Sequence, residues 1–475
     1  MALSTEHELL NWMKRTVWME GCDIETEMRQ ANEEGRDLNS VEDEAKALLA
    51  VPNATTDSHG DPTRGGAWFE RAGALIDRIQ SLPMRSDFSY CEPSEYEAIQ
   101  KELPNAVTLP AWSGTDAHWG DKIHGALLGR ICGCMLGKPI EGWSRESIRI
   151  TAEATKNWPL QDYLRLPTVD EAAQIASKNA KHQLGEWHES QLKGGIVGMI
   201  EDDDINYTTI GFAIIKKYGS DFTPADVAHF WLDTVPILHT CTAERVAYRN
   251  FVSNVLPPQS AEVRNPYREW IGAQIRADYF GYANPGNPKR AAAWARRDSC
   301  ISHVKNGIYG EMWVAAMIAA AAVCTEWETV ILAGLSQIPA HCRLREDVQK
   351  IVVAHAHGAS YDDAVEMIHA QWDETRAHDW CHTNPNAQIV VVGLLYGDDD
   401  FEKTITRSVM PGFDTDCSGA TCGSLWGAMH GARALPEKWT GPMQNRVRTG
   451  VHGYHDVTIS QLAADMLTTA IAVRE

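Results

Sequence analysis

Two stretches of the chain place glycine at every fourth position: Gly125, Gly129, Gly133 and Gly137, then Gly419, Gly423, Gly427 and Gly431. Glycine inside a helix costs about 1 kcal/mol relative to alanine. Four on each of two helices need a compensating gain. Period four puts them on one helical face, and a face without Cβ atoms lets another backbone come close. The pattern predicts two central helices packed backbone to backbone. The competing reading, a glycine-rich surface helix, leaves the cost uncompensated.

The remaining texture is helical. Apolar residues recur at helical spacing over 67–82, where Phe69, Ala72, Leu75, Ile76 and Ile79 share a face. Further helices are expected over 123–137, 208–218, 289–297, 309–325, 361–374 and 458–473. Thr223-Pro224 marks another helix start, with Pro in the first turn. Residues 386–396 are apolar throughout and suit strand or helix by pattern; their neighbours favour helix. Residues 261–287 read as loop-rich. Residues 1–50 read as an amphipathic helix and a Glu-rich segment, and 51–66 as a loop. Prolines 93, 104 and 110 mark a join. The expectation is an all-α fold, with a helical extension over 1–115 and a catalytic domain over 116–475.

The 475 residues carry 43 Lys and Arg against 64 Asp and Glu, a net charge of −21. That balance argues against a nucleic-acid backbone or an anionic membrane as main partner. Eleven cysteines are scattered, without paired-CxxC zinc spacing, which suits a reducing compartment. The start of the chain lacks a basic segment followed by an apolar run, so no signal peptide is expected. The longest apolar run, 312–324, is too short to span a bilayer. A cytoplasmic protein is the expectation, with its oligomeric state open.

Acidic residues supply the chemistry. Gly412-Phe413-Asp414-Thr415-Asp416 sets two carboxylates two apart at the start of the second striped helix. Asp202, Asp203 and Asp204 open another helix, where the macrodipole tolerates them. Either group alone reads equally well as a solvated acidic turn. Together they form an oxygen-rich set that suits Mg²⁺, Mn²⁺ or Ca²⁺ rather than zinc. Without a cation, five such carboxylates would raise one another's pKa. Two polar loops, 297–310 with His303 and 380–386 with His382 and Asn384, could line a pocket. Their histidines read as readily as structural ones.

Taken together these segments resemble the ADP-ribosylglycohydrolase family, in a divergent form of the dinitrogenase-reductase-activating glycohydrolase kind. Residues 121–142, ending in Gly137-Lys138-Pro139-Ile140-Glu141, are similar to that family's first helix and the acidic residue after it. Asp202-Asp203-Asp204 stands at its Thr-Asp-Asp position, and Asp414-Thr415-Asp416-Cys417 at its Asp-x-Asp-Thr. Gly272 through Arg276 is similar to the loop facing the distal ribose and phosphate, and Ser302-His303 to the Thr-His element before the central helix.

The resemblance implies a helical bundle with a binuclear Mg²⁺ or Mn²⁺ centre. Asp202, Asp203, Asp204, Asp414 and Asp416 would be its ligands, with the two ions roughly 3.5–4 Å apart. It also implies a glycosidase acting on a ribosyl C1–N or C1–O bond, with Glu141 or Asp203 taking a proton from water. Gly272, Arg276, His303, Asn306, Gly307, His382 and Asn384 would line the substrate. Arg276 is the one fixed cation near a phosphate path whose Gly-x-Gly-Ser is reduced to Gly272-Ala273. Cys417 replaces the family's Thr ligand, and Cys134 a common acid. These departures favour a small riboside or ribosyl conjugate over an ADP-ribosyl protein, with Trp68, Phe69, Phe88 and Tyr90 closing over the aglycone. A silent protein binding an ADP-ribose-like ligand is the competing reading of another class.

Overall fold

The computed structural model describes residues 23–51, 66–178 and 182–474, together with Leu9 and Met13. Most of the loop expected over 51–66, and the expected helix before residue 23, lie outside the described residues. The fold is a helical bundle, as expected. Five helices position the site: α1 (Asp116–Gly137), α2 (Asp203–Tyr218), α3 (Lys305–Ala321), α4 (Thr383–Leu395) and α5 (Thr415–His430).

The glycine stripes pack against each other. A Cβ built on Gly129 would fall on the Gly423 carbonyl, one on Gly133 on the Gly419 carbonyl, and one on Gly427 on the Gly125 carbonyl. The contact is antiparallel and repeats every four residues. Gly431 departs from the pattern: it caps α5 at φ 82° and donates its N–H to the Gly427 carbonyl at 2.8 Å. Around this pair α3 is buried along nearly its whole length. The apolar 383–395 stretch is helical and equally buried. An apolar surface all round needs neighbours on every side, and helices supply them.

Other expectations hold with shifted ends. The helix expected from residue 208 starts at Asp203, capped by Asp202. The 261–287 stretch holds two short helical turns, Gln274–Arg276 and Asp278–Tyr282. A hairpin pairing Arg446–Arg448 with Asp456–Thr458 has no counterpart in the sequence reading. Three-residue strands are too short to display alternation.

The N-terminal segment has a small apolar core of its own, which includes Ile24, Leu48, Trp68, Phe69 and Leu75. Trp68 and Phe69 are buried there, so they do not close over a ligand, contrary to expectation. Tyr90 donates its hydroxyl to Glu346 at 3.0 Å. Phe88 packs against Gly35, where a Cβ would meet its ring. A buried layer of charge ties the segment to the rest. Arg268 binds Glu27 at 2.7 Å and Glu34 at 2.8 Å, and Arg343 binds Glu92 at 2.7 Å and Glu269 at 2.8 Å.

The stripe contact predicts a sharp contrast within α1. Gly129→Ala should destabilise by more than the roughly 1–3 kcal/mol usual for overpacking, because the added methyl meets backbone that cannot turn away. Gly120→Ala meets only the tip of the Leu467 side chain and gains helix propensity. Thermal melts check both: a sharply lowered Tm for Gly129→Ala, and a Tm at or near wild type for Gly120→Ala.

Candidate metal centre and active site

Antiparallel pairing brings the end of α1 to the start of α5. The Thr415 hydroxyl donates to the Gly137 carbonyl at 2.9 Å. Beyond Gly137 a single turn carries the chain to Glu141, and the next N–H, of Gly142, donates to the Phe413 carbonyl at 3.3 Å. Two left-handed residues, Gly412 at φ 84° and Phe413 at φ 61°, lead into α5. Glycine takes that conformation freely; phenylalanine does so under strain, and such strain gathers at functional sites. Full burial of its ring holds Phe413 in place. Asp414 then caps α5 and Asp416 sits in its first turn, both buried.

The start of α2 supplies the third wall. Asp202 Oδ1 accepts the Asp204 N–H at 2.9 Å, while its Oδ2 is bonded to the Lys138 ammonium. Asp204 is fully buried and paired with Arg130 at 2.7 Å; Arg130 also holds Asp278 at 2.8 Å. The other Asp204 oxygen lies 4.0 Å from Cys134 Sγ. Asp203 is half-buried and Glu141 exposed.

These carboxylates repel one another. Burial first, then Asp202 and Asp416, push Asp203 up to about 7 against the pull of Lys138. Burial, then Asp416 and Glu141, hold Asp414 well above the carboxylate range. Burial and Asp202 raise Asp416. The charge of Asp416, then burial and Asp203, raise Glu141, although water reaches this side chain and screens part of that repulsion. The thiols of Cys134 and Cys417 are also pushed up, by burial and by the surrounding acids. They remain protonated, and a thiol is a poor ligand for a hard cation.

The arrangement fits a divalent cation. Ligating atoms of Asp414, Asp416 and Cys417 lie within 4.8 Å of one another, as do those of Cys134, Asp202, Asp204 and Asp416. Asp414 Oδ1 is buried without a hydrogen-bond partner, its Oδ2 accepts from the Cys381 thiol at 3.6 Å, and Asp416 and Cys417 also hydrogen-bond to its carboxyl group. A buried carboxylate oxygen left bare is costly; a proton or a hard cation would satisfy it.

The other expected residues divide by position. Arg276 is not available to a phosphate. It is 1% exposed and bound to Glu244 at 3.0 Å, to Ser302 at 3.0 Å and to Asp298, with its plane over Trp231. Gly272 is pressed against Glu244, where a Cβ would meet the carboxylate. Glu244 was not foreseen; it is buried and adds its charge to the field at Asp203. His303 is fully buried, with Nδ1 2.8 Å from the Ser302 hydroxyl and Nε2 3.9 Å from Glu244. Burial and Arg276 keep it neutral. Asn306 is spent inside the protein, donating to Glu92 at 2.9 Å and Glu269 at 2.8 Å. Gly307 gives room to the Arg268 carbonyl. These residues support the wall of the site rather than its surface.

His382 and Asn384 face a different group. Asn384 donates to Asp347 at 2.8 Å, beside a cavity of about 250 Å³ that Glu33 and Trp372 also line. His382, His378 and Glu33 converge with metal-like spacing, yet hydrogen bonding argues against a metal. The Trp270 indole N–H donates to His378 Nδ1 at 3.2 Å, and the Asn384 N–H to His382 Nδ1 at 3.1 Å. Each Nδ1 is therefore an acceptor, and the Nε2 of each ring faces Glu33. Against the upward push of burial, the His378 hydrogen bond and nearby positive charge bring Glu33 down to about 2. Glu33 is a satisfied carboxylate, while His382 Nε2, 3.7 Å from it, is buried without a hydrogen-bond partner.

Two outcomes follow for the metal. Asp414→Asn and Asp416→Asn should each abolish binding of Mg²⁺ and Mn²⁺ in isothermal titration while leaving the helical circular dichroism intact. The second concerns pH. An acid whose pKa rises on folding holds its proton more tightly in the folded state, so its contribution is greatest at low pH and fades as pH rises. For Asp203 that window runs from 3.8 to about 7. Protein stripped with EDTA should lose thermal stability from about pH 4 to about pH 7, and saturating Mn²⁺ should flatten that slope. A flat profile in the stripped protein would show that the carboxylates do not crowd one another.

No curated protein matches this sequence. A solved structure described as an ADP-ribosylglycohydrolase-related protein complex covers 75% of this chain and 99% of its own, at 16% identity and a TM-score of 0.43. The model of the ADP-ribosylglycohydrolase family matches residues 115–474. Spanning the glycine-paired helices and all three acidic walls, that match shows that the chain belongs to the ADP-ribosylglycohydrolase family.

Proposed function

We propose that this protein is a divalent-metal-dependent glycohydrolase that cleaves a ribosyl C1–N or C1–O bond. The observation that carries the reading is the meeting of Glu141, Asp203, Asp414 and Asp416 at one place, with Asp414 Oδ1 bare and Glu141 exposed. Mg²⁺ or Mn²⁺, when bound there, supplies the charge that orients ribose hydroxyls and acidifies a water. Asp414 and Asp416 are the holding residues, fixed by the strained turn at Gly412-Phe413. Asp203 and Glu141 are the carboxylates that solvent reaches, and either can take the proton of the attacking water. Negative charge on these groups also suits a transition state with oxocarbenium character. Glu244, behind Asp203, keeps the local field negative, and neutral His303 adds no opposing charge.

The substrate reading is a small N-riboside or ribosyl conjugate. Diphosphate recognition draws on glycine backbone or on Arg and Lys. Here Gly272 is packed against Glu244 and Arg276 is consumed in the core. With Arg276 unavailable, a 5-phosphate has no holder at that position. Membership of the family favours a second reading, an ADP-ribosyl hydrolase acting on protein or small-molecule conjugates.

A panel separates the two. Release of ribose from nucleosides and N-ribosides, measured with Mg²⁺ or Mn²⁺, is compared with hydrolysis of an ADP-ribosylated peptide. The expected result is a higher kcat/KM on the ribosides. A value at least tenfold higher on the peptide would establish the second reading, and no turnover of either class would favour a silent binding protein.

A further inference from the structure

The two oxygen-rich groups at the centre are not equivalent. They share Asp416, but only one lacks a positive charge. In the group formed by Cys134, Asp202, Asp204 and Asp416, two of the three carboxylates, Asp202 and Asp204, are already paired with a cation. Asp202 Oδ2 takes the Lys138 ammonium and Asp202 Oδ1 takes the Asp204 N–H. Asp204 Oδ1 takes Arg130. The other Asp204 oxygen faces the buried Cys134 thiol at 4.0 Å. In the group formed by Asp414, Asp416 and Cys417, Asp414 Oδ1 is buried with no hydrogen-bond partner, and among the described residues no Lys or Arg is ion-paired with Asp414 or Asp416.

Lys138 is held where it is. It directly follows Gly137, whose Cα is pressed against the Thr415 backbone so that no Cβ fits between them. Its backbone is therefore fixed to the start of α5. Its side chain is 19% exposed and bonded to Asp202, with the charge of Asp416 also acting on it. Displacing it would strand a cation against Gly137 and unpair a fully buried carboxylate, and breaking a buried pair is strongly unfavourable.

We infer that the Lys138 ammonium is a built-in cation that fills one of the two positions, so that the protein binds a single divalent ion, at Asp414 and Asp416. Lys138 is then a positioning residue: it sets metal number and holds Asp202 in place. The inference rests on the proposed metal-dependent reading, and metal stoichiometry separates the two.

The experiment titrates EDTA-stripped, dialysed full-length protein with Mn²⁺, by calorimetry and by electron paramagnetic resonance of the loaded sample. The wild-type protein should bind one Mn²⁺ per chain and show the spectrum of an isolated ion. Lys138→Met, close in length and uncharged, should bind two and show exchange coupling between them. Two coupled ions in the wild type would overturn the inference and leave the functional reading standing. One ion in both proteins would show that Lys138 is not what limits the number. No Mn²⁺ bound to the wild type would overturn both readings. The wild-type measurement stands even if Lys138→Met fails to fold.

Discussion

The contact between the glycine faces of α1 and α5 is what the rest of the centre depends on. The interaction is ordinary dispersion and close packing, but its geometry is severe, because every striped glycine except Gly431 lies directly on backbone of the other helix or its end. It determines which helix ends meet. The end of α1 delivers Lys138 and Glu141, and the start of α5 delivers Asp414 and Asp416. At the start of α5 the field matches its acids: the Cys417 N–H donates to Asp416 Oδ1 at 3.1 Å, as suits negative charge at a helix N-terminus. Only α2 has to be brought in from elsewhere, and Arg130 on α1 does this by gripping the Asp204 carboxylate and the Asp204 carbonyl together.

A second layer of charge joins the N-terminal segment to this bundle. Glu27, Glu34 and Glu92 are buried against Arg268 and Arg343. Against burial, Arg268 and Lys305 hold Glu34 below the ordinary carboxylate range, whereas burial raises Glu27 to about 7. One proton more or less is therefore within reach of this layer near neutral pH. Arg343 and Asn306 both bind Glu92 and Glu269, so the layer reaches the start of α3. The segment has an apolar core of its own, yet its acids would be stranded without the arginines of the larger body.

What could be read from the sequence was local. The glycine stripes announced their contact because period and composition are visible in a dozen residues. The acidic turns were visible for the same reason, although the cap at Asp202 was not read, the helix being expected from residue 208. Arg276 and Asn306 were misplaced because their partners lie far along the chain: Glu244 and Asp298 for one, Glu92 and Glu269 for the other. A charged residue with an unknown partner looks free. One local signal was present at Arg276, which is flanked by Ile271, Ala273, Ile275 and Ala277, a setting that goes with burial. Glu244 carried no such mark, being one acid among many on an amphipathic helix. Lys138 stood in view beside Gly137, but its role appears only once Asp202 is seen to reach it.

The α1–α5 contact also limits how such a site can change. Helices that touch side chain to side chain can slide or tilt by fractions of an ångström as residues are exchanged. A pair keyed by glycines every four residues can move only in steps of one full repeat, about 6 Å along the axis at the usual rise per residue. A step of that size would tear the centre apart, so its dimensions are frozen. Variation is left to work by exchanging atoms at fixed points, a sulfur at Cys134 and Cys417 or an extra carboxylate at Asp202. This lineage can retune the charge and hardness of its centre but not its span.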